Sequence, residues 1–311
     1  MGERLSRRSA GVCGRCPAAR RSAGFSPATA EARPRRRRRF PRLRGSTAFP
    51  ALSGIDIKCR IRYGAYLTDK NTTICIDRRF CGPQTSANGG YICGLVAKFA
   101  QRPVTVRLLA PPPLDAPLDL VQVDEGPIEV RHDGQVVAQA RPGHVGDLEP
   151  PPAPTHEAAL EAAQHFAGFR QHPAPTCFVC GPHRPRDDGL RIFPGRISDP
   201  GAGDVVAAPW MPDSSLDPGD GIVAPEFIWA ALDCPGYVAV APDMRAMLLG
   251  ELTASVERPV RIGDACVVVG WGLGSSGRKH VAGTALYDSQ GRLCGRARAT
   301  WIEPRAQAER A

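Results

Sequence analysis

The chain has 311 residues, 42% of them hydrophobic, with 33 glycines and 31 prolines, enough for two domains of ordinary size. Its net charge of +9 is unevenly spread: residues 1–60 carry 16 Lys and Arg against three acids, and the rest of the chain carries 24 against 28. Nucleic-acid binding would therefore rest on the first segment alone, and no run approaches the ~18 apolar residues of a membrane-spanning helix.

Residues 1–66 read as a disordered Arg-rich tail, with five consecutive arginines from Arg35 to Arg39 and too little apolar surface to offset the entropy of ordering. Three origins fit it: a basic tail for nucleic acid, a transit peptide, or an upstream stretch outside the functional protein, from a start codon assigned too early. The third is preferred here. A strand is predicted at Thr72–Ile76, then a buried helix over Asn88–Phe99, opening on Gly89-Gly90. Strands follow at Val104–Leu109, Leu118–Val123 and Ile128–Ala140, the last turning at Asp133-Gly134. Five prolines between 142 and 156 mark a linker, and His156–Phe169 is helix-prone. Further strands are expected at Leu190–Phe193, Val205–Trp210, Leu248–Glu257, Ala265–Trp271, His280–Asp288 and Leu293–Ile302, with a second buried helix over Pro225–Val240. The boundaries expected are 67–141 for a first lobe, 142–175 for linker and helix, 176–304 for a second lobe, and 305–311 for a flexible C-terminus.

Eleven cysteines are an odd number, several lie in apolar runs, and the Arg-rich N-terminus lacks a secretory apolar region. Reduced thiols and a cytoplasmic location are expected. Cys177-x-x-Cys180 has metal-ligand spacing, but structural zinc takes four ligands. Only His172 and His183 stand near as further candidates, and Cys13-x-x-Cys16 lies in the tail. A packed, reduced loop is expected, with no metal. Cys234 has no histidine beside it in sequence to activate it as a nucleophile.

An internal repeat sets the architecture. Val104-Thr105-Val106-Arg107 corresponds to Leu252-Thr253-Ala254-Ser255, Asp115–Val121 to Gly263–Val269, and His132–Ala138 to Ser289–Gly295. Each half runs strand, buried helix, antiparallel strands. This order, the helix ending Ala230-Ala231-Leu232-Asp233, the Asp288–Leu293 run and the Cys177-Phe178-Val179-Cys180-Gly181 stretch resemble the hotdog-fold acyl-CoA thioesterases, especially their phenylacetyl-CoA thioesterase-like branch. The N-terminal half resembles the same fold through Asn88-Gly89-Gly90. The resemblance covers about three quarters of the chain and implies an α+β double hotdog: two tandem lobes, each a curved antiparallel sheet around a central helix. Joining the lobes edge to edge would remove a free sheet edge within one chain.

In that branch the helix opens on His-Gly-Gly and carries an acid nine residues later. The helix-end amides polarise the thioester carbonyl, and the acid activates water or attacks directly. Here each lobe keeps half of the pattern. The first has Asn88-Gly89-Gly90 but Ala97 in place of the acid; the second has Asp233, but Ala224-Pro225-Glu226 at the helix start. One composite site is therefore expected, with Gly89 and Gly90 amides facing Asp233 across the lobes. Glu226, in the first turn of its helix, is either a dipole-stabilising carboxylate or a second acid. Arg278 and Lys279, in a hairpin after Gly274-Ser275-Ser276-Gly277, are candidates to hold the phosphates of coenzyme A. The first lobe has Asp124-Glu125 in a shorter hairpin. Tyr91, Phe227 and Trp229 are expected to line an acyl tunnel.

Thioester hydrolysis on acyl-CoA or acyl-carrier substrates is the function so implied, with no cofactor beyond the coenzyme A of the substrate. Membrane and nucleic-acid partners are not expected, and homo-oligomers of such double-lobed chains fit the fold. A non-catalytic acyl-CoA binding or sensing protein would share the fold with a silent Asp233. A hydratase would need a His–Asp pair by the helix, and none is visible.

Overall fold

The computed structural model describes residues 71–186, 188–197 and 204–305, all within one unit of the chain. The predicted tail, the start of the first lobe at 67–70 and residues 306–311 lie outside them.

Eleven strands form a single antiparallel sheet: β1 (Asn71–Cys75), β2 (Val104–Leu108), β3 (Pro117–Gln122), β4 (Ile128–His132), β5 (Gln135–Pro142), β6 (Gly195–Arg196), β7 (Val205–Trp210), β8 (Leu248–Val256), β9 (Cys266–Ser276), β10 (Lys279–Tyr287) and β11 (Leu293–Ile302). Their order is β1-β3-β4-β5-β2-β8-β11-β10-β9-β7-β6. Read outward from the centre, β2-β5-β4-β3-β1 on one side mirrors β8-β11-β10-β9-β7 on the other. This is the double hotdog, with the repeat visible strand by strand.

The seam lies between β2 and β8. The sequence repeat makes Thr105 equivalent to Thr253, and these two are direct partners across the seam. A pseudo-twofold axis therefore passes between them. Their hydroxyls share a buried 2.7 Å hydrogen bond, so two polar β-branched side chains are satisfied where the lobes meet. Arg141 of β5 and Glu251 of β8 form an ion pair beside it.

Inside the sheet lie α1 (Gly89–Ala100) and α3 (Pro225–Ala231), packed directly on each other. Asn88 starts α1 by accepting the Tyr91 N–H in its side chain, and the helix closes on Gln101 in the left-handed region. The continuous helix expected over Pro225–Val240 is broken: α3 stops at Ala231 and α4 (Cys234–Val240) begins three residues later. Pro235 is the reason, because it has no N–H to give Ala231 and its ring would strike that carbonyl. The break is built in, since Thr284 of β10 donates its hydroxyl to the freed Leu232 carbonyl at 2.7 Å. The predicted strand Leu190–Phe193 is also absent as such. Leu190 and Ile192 instead donate to the Phe178 and Val179 carbonyls, tying this stretch to the Cys177–Gly181 loop rather than to the sheet.

α2 (His156–Gln164), capped by Thr155, covers the outer face of β6 and β7 with Ala159 and Ala162 in a small separate core. The main core runs without interruption through both lobes. Tyr91 and Phe227 belong to it: with Phe80 and Phe178 they make an aromatic cluster, Phe80 stacked on Tyr91 at 4.3 Å. These two rings are packing residues rather than walls of a tunnel. Among the described residues, no helix is long and apolar enough to cross a membrane.

Candidate functional site

Where α1 begins and α3 ends, the two lobes meet around one carboxylate. Asp233 is 2% exposed, and its Oδ2 accepts two hydrogen bonds from the first lobe, both 2.9 Å: one from Asn88 Nδ2 and one from the Gly90 N–H. Asn88 is thus divided between two tasks, its Oδ1 capping α1 and its Nδ2 holding the acid. Asp233 stands at the N-cap position of α4, yet its side chain makes no capping bond there and turns across to α1 instead. That choice follows from electrostatics: α1 is 12 residues long and offers its positive end.

The second oxygen, Oδ1, is buried and has no hydrogen-bond partner among the described residues. Burial raises the Asp233 carboxyl to about 7, opposed by the Gly90 and Asn88 hydrogen bonds and reinforced by Cys177 nearby. A carboxylate held by one oxygen, with the other free, is what a general base or nucleophile requires.

Close helix contact makes the clamp geometrically feasible. A Cβ on Gly90 would lie 2.6 Å from both Asp233 Cβ and the Trp229 carbonyl, and one turn later a Cβ on Gly94 would lie 2.6 Å from Glu226 Cα. Gly90-x-x-x-Gly94 is therefore the surface on which α3 rests. The sequence reading overlooked Gly94, although its spacing from Gly90, one helical turn, was the available signal. Gly89 differs: its N–H has no partner among the described residues, it is only partly buried, and Leu249 and Leu108 lie over it. Of the two amides expected to polarise a carbonyl, Gly90 is committed to Asp233 and Gly89 is the one at liberty.

The pseudo-equivalent end of the helix pair is built differently. Glu226, 2% exposed, receives Lys98 Nζ at 3.1 Å and is engaged in an ion pair between lobes. The acid lies in the first turn of α3 and the base in the last turn of α1, each favoured by its helix dipole. Ala97, Pro225 and Trp229 there line a cavity of about 540 Å³ that does not extend to Asp233. Of the expected tunnel set, Trp229 lines this cavity and Tyr91 and Phe227 do not. We expect Lys98→Met to lower stability by about 1–2 kcal/mol, more than Glu226→Gln, because it leaves a buried carboxylate without this partner, whereas the amide leaves only the half-exposed Lys98 ammonium, which water can solvate. Equal melting temperatures for the two variants would refute this.

Arg278 lies at the turn between β9 and β10, its Nη1 donating to the Glu303 carbonyl at 2.7 Å, and Lys279 opens β10 with its side chain exposed. β9 runs five residues past its expected end, to Ser276, while β10 keeps its expected length and starts one residue earlier, so the hairpin projects well beyond its first-lobe counterpart at Val123–Pro127. Beside Asp233 the fold gathers three thiols, Cys177, Cys180 and Cys234. Hydrogen bonds from the Cys180 and Cys234 thiols hold Cys177 well below the usual thiol range and push the other two up.

No protein-family model matches the chain, and the search of curated proteins also finds no match. Similarity to solved structures is spread over the whole folded region. The TesB protein of Mycobacterium avium subsp. paratuberculosis matches 79% of this chain and 95% of its own, with a TM-score of 0.53 and 14% identity. The acyl-CoA thioesterase II TesB2 of Mycobacterium marinum matches 76% of this chain and 94% of its own, with a TM-score of 0.50 and 11% identity. Two near-complete matches at such low identity show that the chain has the double-hotdog fold of these proteins.

Proposed function

We propose that the chain hydrolyses acyl thioesters, with acyl-CoA as the substrate class, at the one composite site where the first lobe holds the acid of the second. The observation that carries this reading is the Asp233 clamp: a buried carboxylate fixed through Oδ2 by Asn88 and Gly90 of the other lobe, with Oδ1 unpartnered. Oδ1 takes a proton from a water whose oxygen bonds to the thioester carbonyl carbon; the Gly89 N–H at the α1 terminus stabilises the oxyanion, and as the C–S bond breaks the proton held on Asp233 passes to the coenzyme A sulfur. In the nucleophilic variant Oδ1 itself bonds to that carbon, coenzyme A leaves as its thiol after taking a proton from solvent, and water then hydrolyses the resulting mixed anhydride to release the acid and restore Asp233. Arg278 and Lys279 are the proposed phosphate contacts, on an exposed turn that can follow a long ligand. The similarity to a named acyl-CoA thioesterase supports the substrate class.

Eight free cysteines among the described residues, three of them in contact range of one another, support the reducing cytoplasm as the chain's compartment. Homo-oligomers remain open through the edge strands β1 and β6. Thiol release from a panel of short, long and aromatic acyl-CoAs tests the proposal. Turnover of at least one class is expected; saturable binding without turnover on any would replace hydrolysis by a binding or sensing role.

A further inference from the structure

We propose that Cys177, Cys180 and Cys234 form a thiolate site for a soft divalent cation, zinc in the first place, independent of the hydrolytic reading. Cys180 follows Cys177 by three residues, while Cys234 comes 57 positions after Cys177 and is delivered by the break between α3 and α4. The three sulfurs lie within 4.8 Å of one another and all are buried. Cys177 Sγ and Cys234 Sγ are 3.8 Å apart. Two thiolates at the usual zinc–sulfur length of about 2.3 Å, set at a tetrahedral angle, stand about 3.8 Å from each other.

The surroundings are those of metal-bound thiolates. Backbone N–H groups of Val179 and Cys180 turn back onto the Cys177 sulfur, and Asn88 Nδ2 lies 3.9 Å from it. His172 Nε2 is 3.3 Å from Cys180 Sγ. Its Nδ1 accepts the Ala174 N–H at 2.9 Å, so the neutral ring carries its proton on Nε2 and donates to the sulfur. His172 is therefore an outer hydrogen-bond donor and not a fourth ligand. Three protein sulfurs leave one tetrahedral position for a non-protein ligand. Binding would displace the thiol protons to solvent and form three metal–sulfur bonds, with no change of oxidation state. Three thiolates carry a charge of −3, which a divalent cation reduces to −1. The site would fasten the 172–181 loop to the start of α4, immediately next to Asp233, and keep Asn88 aligned between Cys177 and the acid.

The full-length protein is to be loaded with zinc under reducing conditions, dialysed, and assayed for metal by mass spectrometry beside Cys177→Ser, Cys234→Ser and, as a control, Cys266→Ser in β9. About one zinc per chain is expected in the parent and the control, with at least a tenfold loss in the two cluster variants. Cobalt(II) added to the unmutated protein should give sulfur-to-cobalt charge-transfer bands and intense tetrahedral d–d bands. This second measurement decides the matter if the serine variants do not fold. No retained zinc and no thiolate–cobalt bands in the folded parent would overturn the site, as would full zinc retention in folded Cys177→Ser and Cys234→Ser.

Discussion

Asp233→Asn is expected to lower kcat by about 10³-fold on any acyl-CoA the protein hydrolyses, within the 10²–10⁴ range that a positioned acid–base group contributes. The substitution keeps volume and leaves an amide oxygen able to accept the Gly90 N–H, so the helix contact should survive. What disappears is the basic, unpartnered Oδ1. The melting temperature should hold or rise, because burying an amide costs less hydration than burying a carboxylate. KM should change far less than kcat, since the substituted atoms act on the reacting bond and not on the nucleotide end of the substrate. Turnover within threefold of the parent, in a folded variant, would remove Asp233 from the chemistry and with it the composite site.

Gly90→Ala is expected to cost about 2–4 kcal/mol and to abolish turnover together. The added methyl would stand 2.6 Å from Asp233 Cβ and from the Trp229 carbonyl and 2.9 Å from Ala230 Cα. Two of these are backbone atoms, so α1 and α3 must separate, and overpacking of this kind costs ~1–3 kcal/mol even where side chains can yield. At roughly 2–4 °C per kcal/mol for a fold of this size, the melting temperature should fall by about 5–15 °C. Gly94→Ala separates packing from chemistry. Its methyl would meet Glu226 Cα at 2.6 Å and Trp229 Cβ at 2.9 Å, a similar intrusion one turn away from the acid. A comparable loss of stability with much more residual activity is expected. If the two variants lose activity equally, the Gly90 N–H bond to Asp233 has no role beyond holding the helices together.

The fold was largely legible because a hotdog lobe repeats. Strand alternation placed β2, β3, β7, β8 and β11 to within a residue or so at most ends, and the Thr105–Thr253 equivalence, found by matching the halves, is the register of the seam itself. Asn88, Gly89, Gly90 and Asp233 could be singled out as complementary halves of one pattern, and the structure brings Asn88, Gly90 and Asp233 into hydrogen-bond contact. Glu226 could be read only as far as its helix-start position, since its partner Lys98 lies on the other lobe. Leu190–Phe193 was misjudged because four apolar-alternating residues satisfy a loop's backbone as readily as a ladder's, and the choice depends on which carbonyls are within reach.

The sequence by itself determined what is local or periodic: strands, the start of the first helix and the duplication that makes two lobes. It also contained Pro235, which obliges the second helix to break. Only the tertiary structure decided what depends on distance in space. Gly90 and Asp233 are 143 positions apart and Cys177 and Cys234 are 57 apart, so neither the clamp nor the thiol cluster has a signature in neighbouring residues. The thiol cluster arises from the break between α3 and α4, which turns Cys234 toward the Cys177–Gly181 loop of its own lobe, and the clamp from the closing of the β2–β8 seam, which sets α1 against α3. At that point a buried carboxylate must find donors or stay protonated, and the nearest donors belong to the opposite lobe.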